Sequence, residues 1–259
     1  MRYVVGLCAL GLGMVSVGAW ASSAGAIKPA APQEKTVAQA TPTQSKENAA
    51  AYKELLAQFD ELSRQQSPLA YATLVSKPLM SQSGDAMFKH YQALLQPHIA
   101  EEPKAALLYA ALLATQARKP MLQLPGEGMT PQREAMWLQL PSNPLFQEAN
   151  RLLVQLCEKQ NLQACMAHFY ELFDAGTPVM MGHDRKEQDA FVRVLIEAEN
   201  EVRRIAIMNY AKQPTPGLAG FVASLYTRGL TPFPAEQAKG MGFVRDADKA
   251  ARWQEQAGL

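Results

Sequence analysis

From residue 46 onward, apolar side chains recur at steps of three and four residues, which places them on one face of a helix. In the first such segment they are Ala51, Leu55, Leu56, Phe59 and Leu62. No run alternates between apolar and polar residues with the period of two that a half-buried strand shows, and the Asn-Gly and Asp-Gly turns of hairpins are absent. The pattern predicts an all-α protein of short helices in antiparallel succession.

Prolines and capping residues predict where these helices begin and end. Predicted starts are Ser67-Pro68, Asp85, Pro103, Thr130-Pro131 and Ser142-Asn143. Further helices are predicted from Gln163 to Ala175 (ending at Gly176), from Asp184 to Lys212, over about 217–228 and over 246–257. The helix over 105–117 is apolar on nearly every side, so we expect it to be central. Residues 120–128 are predicted to be a loop.

The first 45 residues lack this helical pattern. Arg2 precedes an uncharged apolar stretch, which is followed by two small-x-small patterns. This arrangement is typical of a secretory signal peptide, here residues 1–26, cleaved after Ala21 or Ala26. An uncleaved membrane anchor is the alternative, although the stretch is short and Gly-rich for a span. Residues 27–45 are predicted to be a disordered tether.

Charge, hydropathy and cysteine content narrow the class of protein further. The formal net charge is +1, with no cluster of Lys and Arg, so we expect no nucleic-acid partner. No later stretch is apolar enough to cross a bilayer, so we expect a soluble periplasmic or secreted protein. Removal of the signal peptide leaves Cys157 and Cys165. An even number of cysteines in an exported chain favours a disulfide, and two free thiols are the alternative.

The sequence contains no motif that we interpret as catalytic. Its four histidines, His90, His98, His168 and His183, show no metal-binding spacing to Cys or to one another. Motifs for a nucleophilic serine, a zinc protease or a phosphate loop are missing. His183 beside Asp184 resembles a proton-transfer pair, but an exposed turn followed by a helix cap is the better interpretation. We therefore predict no catalytic residue, no metal and no cofactor.

A charged stretch, residues 197–204, lies on the predicted long helix. Glu199 and Arg203, and likewise Asn200 and Arg204, are four residues apart and are predicted to pair on the helix surface. The stretch is predicted to be a solvated helix face. The alternative is a charged stripe that contacts a partner.

The C-terminal segment carries the most specific motif. One predicted helix ends in Leu225, Tyr226 and Gly229, and the next carries Gly242, Asp246, Lys249, Ala250, Trp253 and Ala257. The spacing resembles that of the Sel-one-like repeat, a relative of the tetratricopeptide repeat. Two features depart from that repeat: Val222-Ala223 stands where the family has Leu-Gly, and residues 230–241 are an insertion.

Physical reasons for this pattern are readable in the residues themselves. Gly229 tolerates the positive φ of a helix end, and Asp246 is a good N-cap for the next helix. Ala250 and Ala257 let neighbouring helices approach closely, while the rings of Tyr226 and Trp253 fill the space between them.

A degraded copy of the repeat lies upstream and contains Phe173, Gly176 and both cysteines. The cysteines span the turn between one repeat and the next, which resembles the secreted, cysteine-rich branch of the family. That resemblance implies a Cys157–Cys165 disulfide, which stabilises by about 2–3 kcal/mol in the chain-entropy model. The resemblance to the repeat family covers residues 145–258. We expect a repeat region at 141–259, preceded by a helical region at 46–140 that contains either divergent repeats or a capping bundle.

The resemblance implies a short α-solenoid whose concave surface binds peptides or protein domains. We therefore expect a protein-interaction adaptor or assembly factor of the bacterial cell envelope. Leu230, Phe233 and Met241 of the insertion are candidate partner contacts, and the alternative is a loop packed on its own repeat. Members of the cysteine-rich branch have been described as penicillin-binding proteins with weak β-lactamase activity, so a cell-wall-directed enzyme is the alternative function. No residue of this chain is assigned to it.

Overall fold

The computed structural model describes residues 42–65, 69–126, 130–182 and 184–258. The predicted signal peptide, most of the predicted tether, the Ser67-Pro68 cap and His183 lie outside these residues. The first described helix begins at Pro42, within the segment predicted as tether.

Every regular element in the described ranges is a helix, so the all-α prediction is confirmed. Three short 3₁₀ turns, at Ala70–Ala72, Gln96–His98 and Leu140–Ser142, join some of them. The α-helices are α1 (Pro42–Gln65), α2 (Thr73–Leu79), α3 (Gly84–Leu95), α4 (Pro103–Leu122), α5 (Pro131–Gln139), α6 (Pro144–Glu158), α7 (Leu162–Met181), α8 (Arg185–Lys212), α9 (Pro216–Thr227), α10 (Ala235–Gly240) and α11 (Ala247–Ala257).

Three antiparallel helix pairs follow one another in a solenoid-like succession: α4 with α6, α7 with α8, and α9 with α11. In the first pair the end of α4 meets the start of α6, where Arg118 lies over the ring of Phe146. In the third, the Tyr226 carbonyl at the end of α9 accepts the backbone N–H of Asp246 ahead of α11. Helices α6 and α7, and then α8 and α9, join the successive pairs.

Two hydrophobic clusters stabilise the structure. The first surrounds α4, whose residues from Ala105 to Ala114 are almost all buried, as the sequence predicts for a central helix. The second lies among α7, α8, α9 and α11. Leu69, in the segment before α2, packs against both clusters.

Several predicted caps are confirmed. The side chains of Thr130, Asn143, Asp184 and Asp246 each accept a backbone N–H of the helix that follows. These bonds satisfy N–H groups that have no partner within the first helical turn.

Three predicted boundaries are wrong. Asp85 lies in the first turn of α3 rather than at its cap, and its carboxylate binds the ammonium group of Lys119 at 2.5 Å. Pro120 lies within α4, where its lack of an N–H leaves one hydrogen bond of the helix unmade. Gly176 lies inside α7, at a position where a Cβ would overlap the ring of Phe191. This glycine permits close packing of α7 on α8 and does not end a helix.

None of the described helices is both long enough and apolar enough to span a membrane.

Candidate protein-binding surface

Helices α7 and α9, the first members of successive pairs, border an open groove of about 470 Å³. We call it the α7–α9 groove. The residues that line it are Leu162 and Met166 from α7, Gly217, Leu218, Gly220, Phe221 and Ser224 from α9, and Arg228 directly after α9.

The spacing of residues along α9 explains why one face is left open. Val222 and Leu225 are fully buried in the second cluster. Gly217, Phe221, Ser224 and the flanking Arg228 recur at three- and four-residue steps, so they share a different face and border the groove. The sequence thus encodes both a core face and a groove face on one helix.

One end of the groove is cationic. Arg228 is the one charged side chain among the described residues that line it. Tyr170, one turn beyond Met166 on α7, is 37% exposed. Burial raises the pKa of the Tyr170 hydroxyl, against an opposing effect of the Arg228 charge, so this hydroxyl stays protonated at neutral pH. The groove therefore combines apolar walls with a positive charge at one end.

Two members of the charged stretch on α8, Glu199 and Arg203, do not lie on a solvated face, whereas Glu197 and Arg204 are exposed. Glu199 is 1% exposed and lies at 3.0 Å from Arg203 and 2.6 Å from Arg245. Its carboxylate also accepts the backbone N–H of Leu230. Because Glu199 and Arg203 are both buried, they cannot form a surface stripe for a partner either, so both interpretations of these two residues are wrong.

The predicted pairing of Glu199 with Arg203 is confirmed, whereas that of Asn200 with Arg204 is wrong. Arg204 binds the carboxylate of Glu201 at 2.5 Å, and Asn200 instead accepts a hydrogen bond from Arg203 at 2.7 Å. A carboxylate three residues away is a stronger acceptor for an arginine than a neutral amide four residues away.

The Glu199 network fastens the chain between α9 and α11 to α8. Arg245 also donates to the hydroxyl of Thr231, and Arg203 donates to the carbonyl of Val244. Gly229 has a φ of +70°, and a Cβ there would collide with the guanidinium of Arg245 and the carboxylate of Glu199. The predicted positive φ at Gly229 is therefore confirmed.

The segment predicted as an insertion, residues 230–241, folds back on the protein and contacts the preceding helix pair. Leu230 is 8% exposed and belongs to the second cluster, so it is not accessible to a partner. The ring of Phe233 meets that of Phe173 edge-on, with 5.9 Å between the centroids. Met241 packs against the same cluster. Phe233 therefore packs on α7 of the preceding helix pair, whereas the alternative prediction was a loop packed on its own repeat.

The other predicted motif residues of the C-terminal segment lie on or beside α11 and contact α9 and α8. Lys249 lies over the Tyr226 ring at 5.6 Å and pairs with Asp246 at 3.2 Å. Ala250 is buried between the helices, and Trp253 meets Tyr210 edge-on. The structure also places Gly242 (φ +95°) in the turn before α11, and Ala257 at the end of that helix.

Cys157 and Cys165 lie at disulfide distance, with 2.04 Å between their sulfur atoms and 4.8 Å between their Cα atoms. They join the end of α6 to the start of α7. The side chain of Asn161 caps α7 by accepting the N–H of Ala164. The pairing implied by the resemblance is confirmed as geometry.

A smaller groove of about 310 Å³ borders this disulfide between α6 and α8. Its lining includes Glu158, Glu197 and His168. Burial lowers the pKa of His168, whose Nδ1 lies 3.4 Å from the Asn150 side-chain oxygen. Within the described ranges, no group of three or more His, Cys, Asp or Glu side chains is placed to hold a metal ion.

An ion cluster that no sequence pattern predicted joins the first helix pair to the second. Arg118 of α4 binds Glu171 at 2.5 Å and Asp174 at 3.4 Å, both on α7. The indole N–H of Trp137 on α5 donates to the Asp174 carbonyl at 2.9 Å. These partners are more than thirty residues apart in sequence, so periodicity alone does not reveal them.

Comparison with protein-family models, with curated proteins and with solved structures finds no match to this chain.

Proposed function

We propose that this protein is an exported adaptor or assembly factor that binds a protein partner in the bacterial cell envelope, through the α7–α9 groove. The observation that carries the proposal is the groove itself. It lies between the first helices of two successive pairs and has apolar walls with an exposed arginine at one end.

The rigidity of the groove walls supports this proposal. The Arg118 cluster fastens α7 to α4, and the Glu199 network fastens α8 to the segment on either side of α10. A preformed surface loses little conformational entropy when it binds.

The Sel-one-like motif and the disulfide-distance cysteines support the compartment and the class. Repeat proteins of this kind use extended surfaces for binding, and disulfides persist in oxidising compartments. The proposed location is the periplasm or the medium.

Affinity capture from the native envelope tests the proposed function. The tagged protein and its Gly217→Trp variant are compared by quantitative mass spectrometry after cross-linking. A Cβ at Gly217 meets no atom within 4 Å, so a large side chain there projects into the groove without disturbing the core. Circular dichroism and the melting temperature confirm that the variant is folded.

We expect at least one envelope protein to be captured by the wild type and lost from the variant. A matched control, Arg252→Gln on the exposed side of α11, retains that partner. Equal capture by all three proteins contradicts the assignment of the groove, and no enrichment over an unrelated exported protein contradicts the adaptor function.

A further inference from the structure

Arg228 is the one arginine among the described residues that line the α7–α9 groove. Arg118, Arg203 and Arg245 each bind a carboxylate, and Arg133 donates to backbone carbonyls. Arg228 is exposed and has no ion pair or side-chain hydrogen bond with any described residue. An arginine presents a rigid fork of N–H donors that matches a carboxylate, and this fork is open at the end of the groove.

None of the described residues that line the groove is acidic. At the opposite end, the walls are Leu162, Gly217 and Leu218, and between the two ends lies Phe221, whose ring offers an apolar side chain a surface to lie against. The groove is therefore polarised along α9, with an apolar end and a cationic end. Charge complementarity selects a ligand that carries one negative charge and one bulky apolar group.

The length of α9 sets the spacing of those two groups. Phe221 and Arg228 are seven positions apart, which is about 10 Å along a helix. An extended peptide covers about 3.3–3.6 Å per residue, so about three residues span that distance. Gly217 and Gly220 have no side chain, which lets a peptide backbone approach α9 closely.

From this geometry we infer that the groove binds an extended peptide segment with a bulky apolar residue and an Asp or Glu side chain three positions apart. The apolar residue lies against Phe221, and the carboxylate pairs with Arg228. The inference rests on the proposed adaptor function and specifies the chemistry of the partner.

Panning a displayed library of random decapeptides tests this inference. The bait is the protein produced from the full 259-residue sequence, and the Arg228→Gln, Gly217→Trp and Arg252→Gln variants are panned in parallel. We expect wild-type and Arg252→Gln selections to share the apolar and acidic pair at a spacing of three. The Arg228→Gln selection keeps the apolar residue and loses the acid, and the Gly217→Trp selection shows no enrichment.

The binding affinity of one enriched peptide, synthesised with an amidated C-terminus, then measures how much the acidic residue contributes. Replacing its acidic residue with the matching amide weakens binding to the wild type about 5- to 10-fold, and 0.5 M salt weakens it similarly. Against Arg228→Gln, the acidic and amide peptides bind equally. The peptide is amidated, so its own C-terminus cannot supply the carboxylate.

Two results overturn the inference. One is a set of enriched peptides that lack an acid, or that keep it against Arg228→Gln. The other is no enrichment at all. If the envelope capture still yields a partner, the adaptor function stands and only this ligand chemistry fails; if capture fails as well, both proposals fail.

Discussion

Glu199 is a buried carboxylate shared by two arginines and a backbone N–H. Removing one partner of a buried ion pair leaves the other charge buried and unpaired. The free energy lost in this way exceeds the net stabilisation that the pair provided. In this chain, removal of Glu199 leaves the Arg203 and Arg245 guanidinium groups close together without their counterion. The residue therefore determines how the chain from α9 to α11 lies on α8.

The Glu199→Gln variant is expected to be less stable by about 3–5 kcal/mol, because two buried cations lose their shared anion. Urea unfolding followed by circular dichroism measures the difference. Glu197→Gln, an exposed position on the same helix, is the matched control and changes stability by less than about 0.5 kcal/mol. A Glu199→Gln variant as stable as this control contradicts the assigned role.

Gly176 and Gly217 provide a matched pair of glycine tests. Gly176→Ala places a methyl group into the ring of Phe191 and is expected to cost about 1–3 kcal/mol. Gly217→Ala meets no atom and is expected to stabilise by up to about 1 kcal/mol, because alanine is the better helix former. Thermal unfolding of both variants checks the two signs, and an equal effect would contradict the close packing at Gly176.

Among the helices, local chemistry was predictable and long-range packing was not. Thr130, Asn143, Asp184 and Asp246 bond to N–H groups two or three residues away, so a short motif predicts them. These caps gave the starts of α5, α6, α8 and α11 correctly. The helix central to the first cluster was also predicted, because its apolar residues cover nearly every side.

Gly176 and Glu199 show where such reasoning ends. A glycine at the end of a periodic run predicts a helix end, but the ring of Phe191 on the next helix is what requires it here. The spacing of Glu199 and Arg203 predicts a pair on the helix surface. In the structure Glu199 is buried against Arg245, which lies 46 residues away in the sequence. The α7–α9 groove was missed for the same reason, since it depends on how one helix pair stacks on the next.

The disulfide belongs to the junction between α6 and α7. Its loss through the double substitution Cys157→Ala and Cys165→Ala is expected to reduce the free energy of unfolding by about 2–3 kcal/mol in the chain-entropy model. Denaturant titration with and without a reducing agent measures this. In the reducing agent, the free energy of unfolding of the wild type is expected to fall to that of the double variant. A difference that persists there would mean that the substitutions act through packing instead.

At the scale of the whole molecule, three helix pairs present one polarised groove between rigid elements. The two hydrophobic clusters are connected by Leu69, which packs against both, and by the Arg118 ion cluster between α4 and α7. These contacts hold α7, which forms one wall of the groove. The other wall, α9, is held by the packing of α11 against it. The proposed binding function depends on this arrangement rather than on any single reactive side chain.

Site-specific photo-cross-linking in the living cell tests whether a protein partner binds in the α7–α9 groove. A photoreactive phenylalanine analogue replaces Tyr170 beside the groove or, as a control, Gln254 on the exposed side of α11. We expect a discrete cross-linked envelope protein from position 170 that is absent at position 254 and is lost when Gly217→Trp is added. Cross-links that are equal at both positions, or that persist with Gly217→Trp, would contradict a partner bound in the α7–α9 groove.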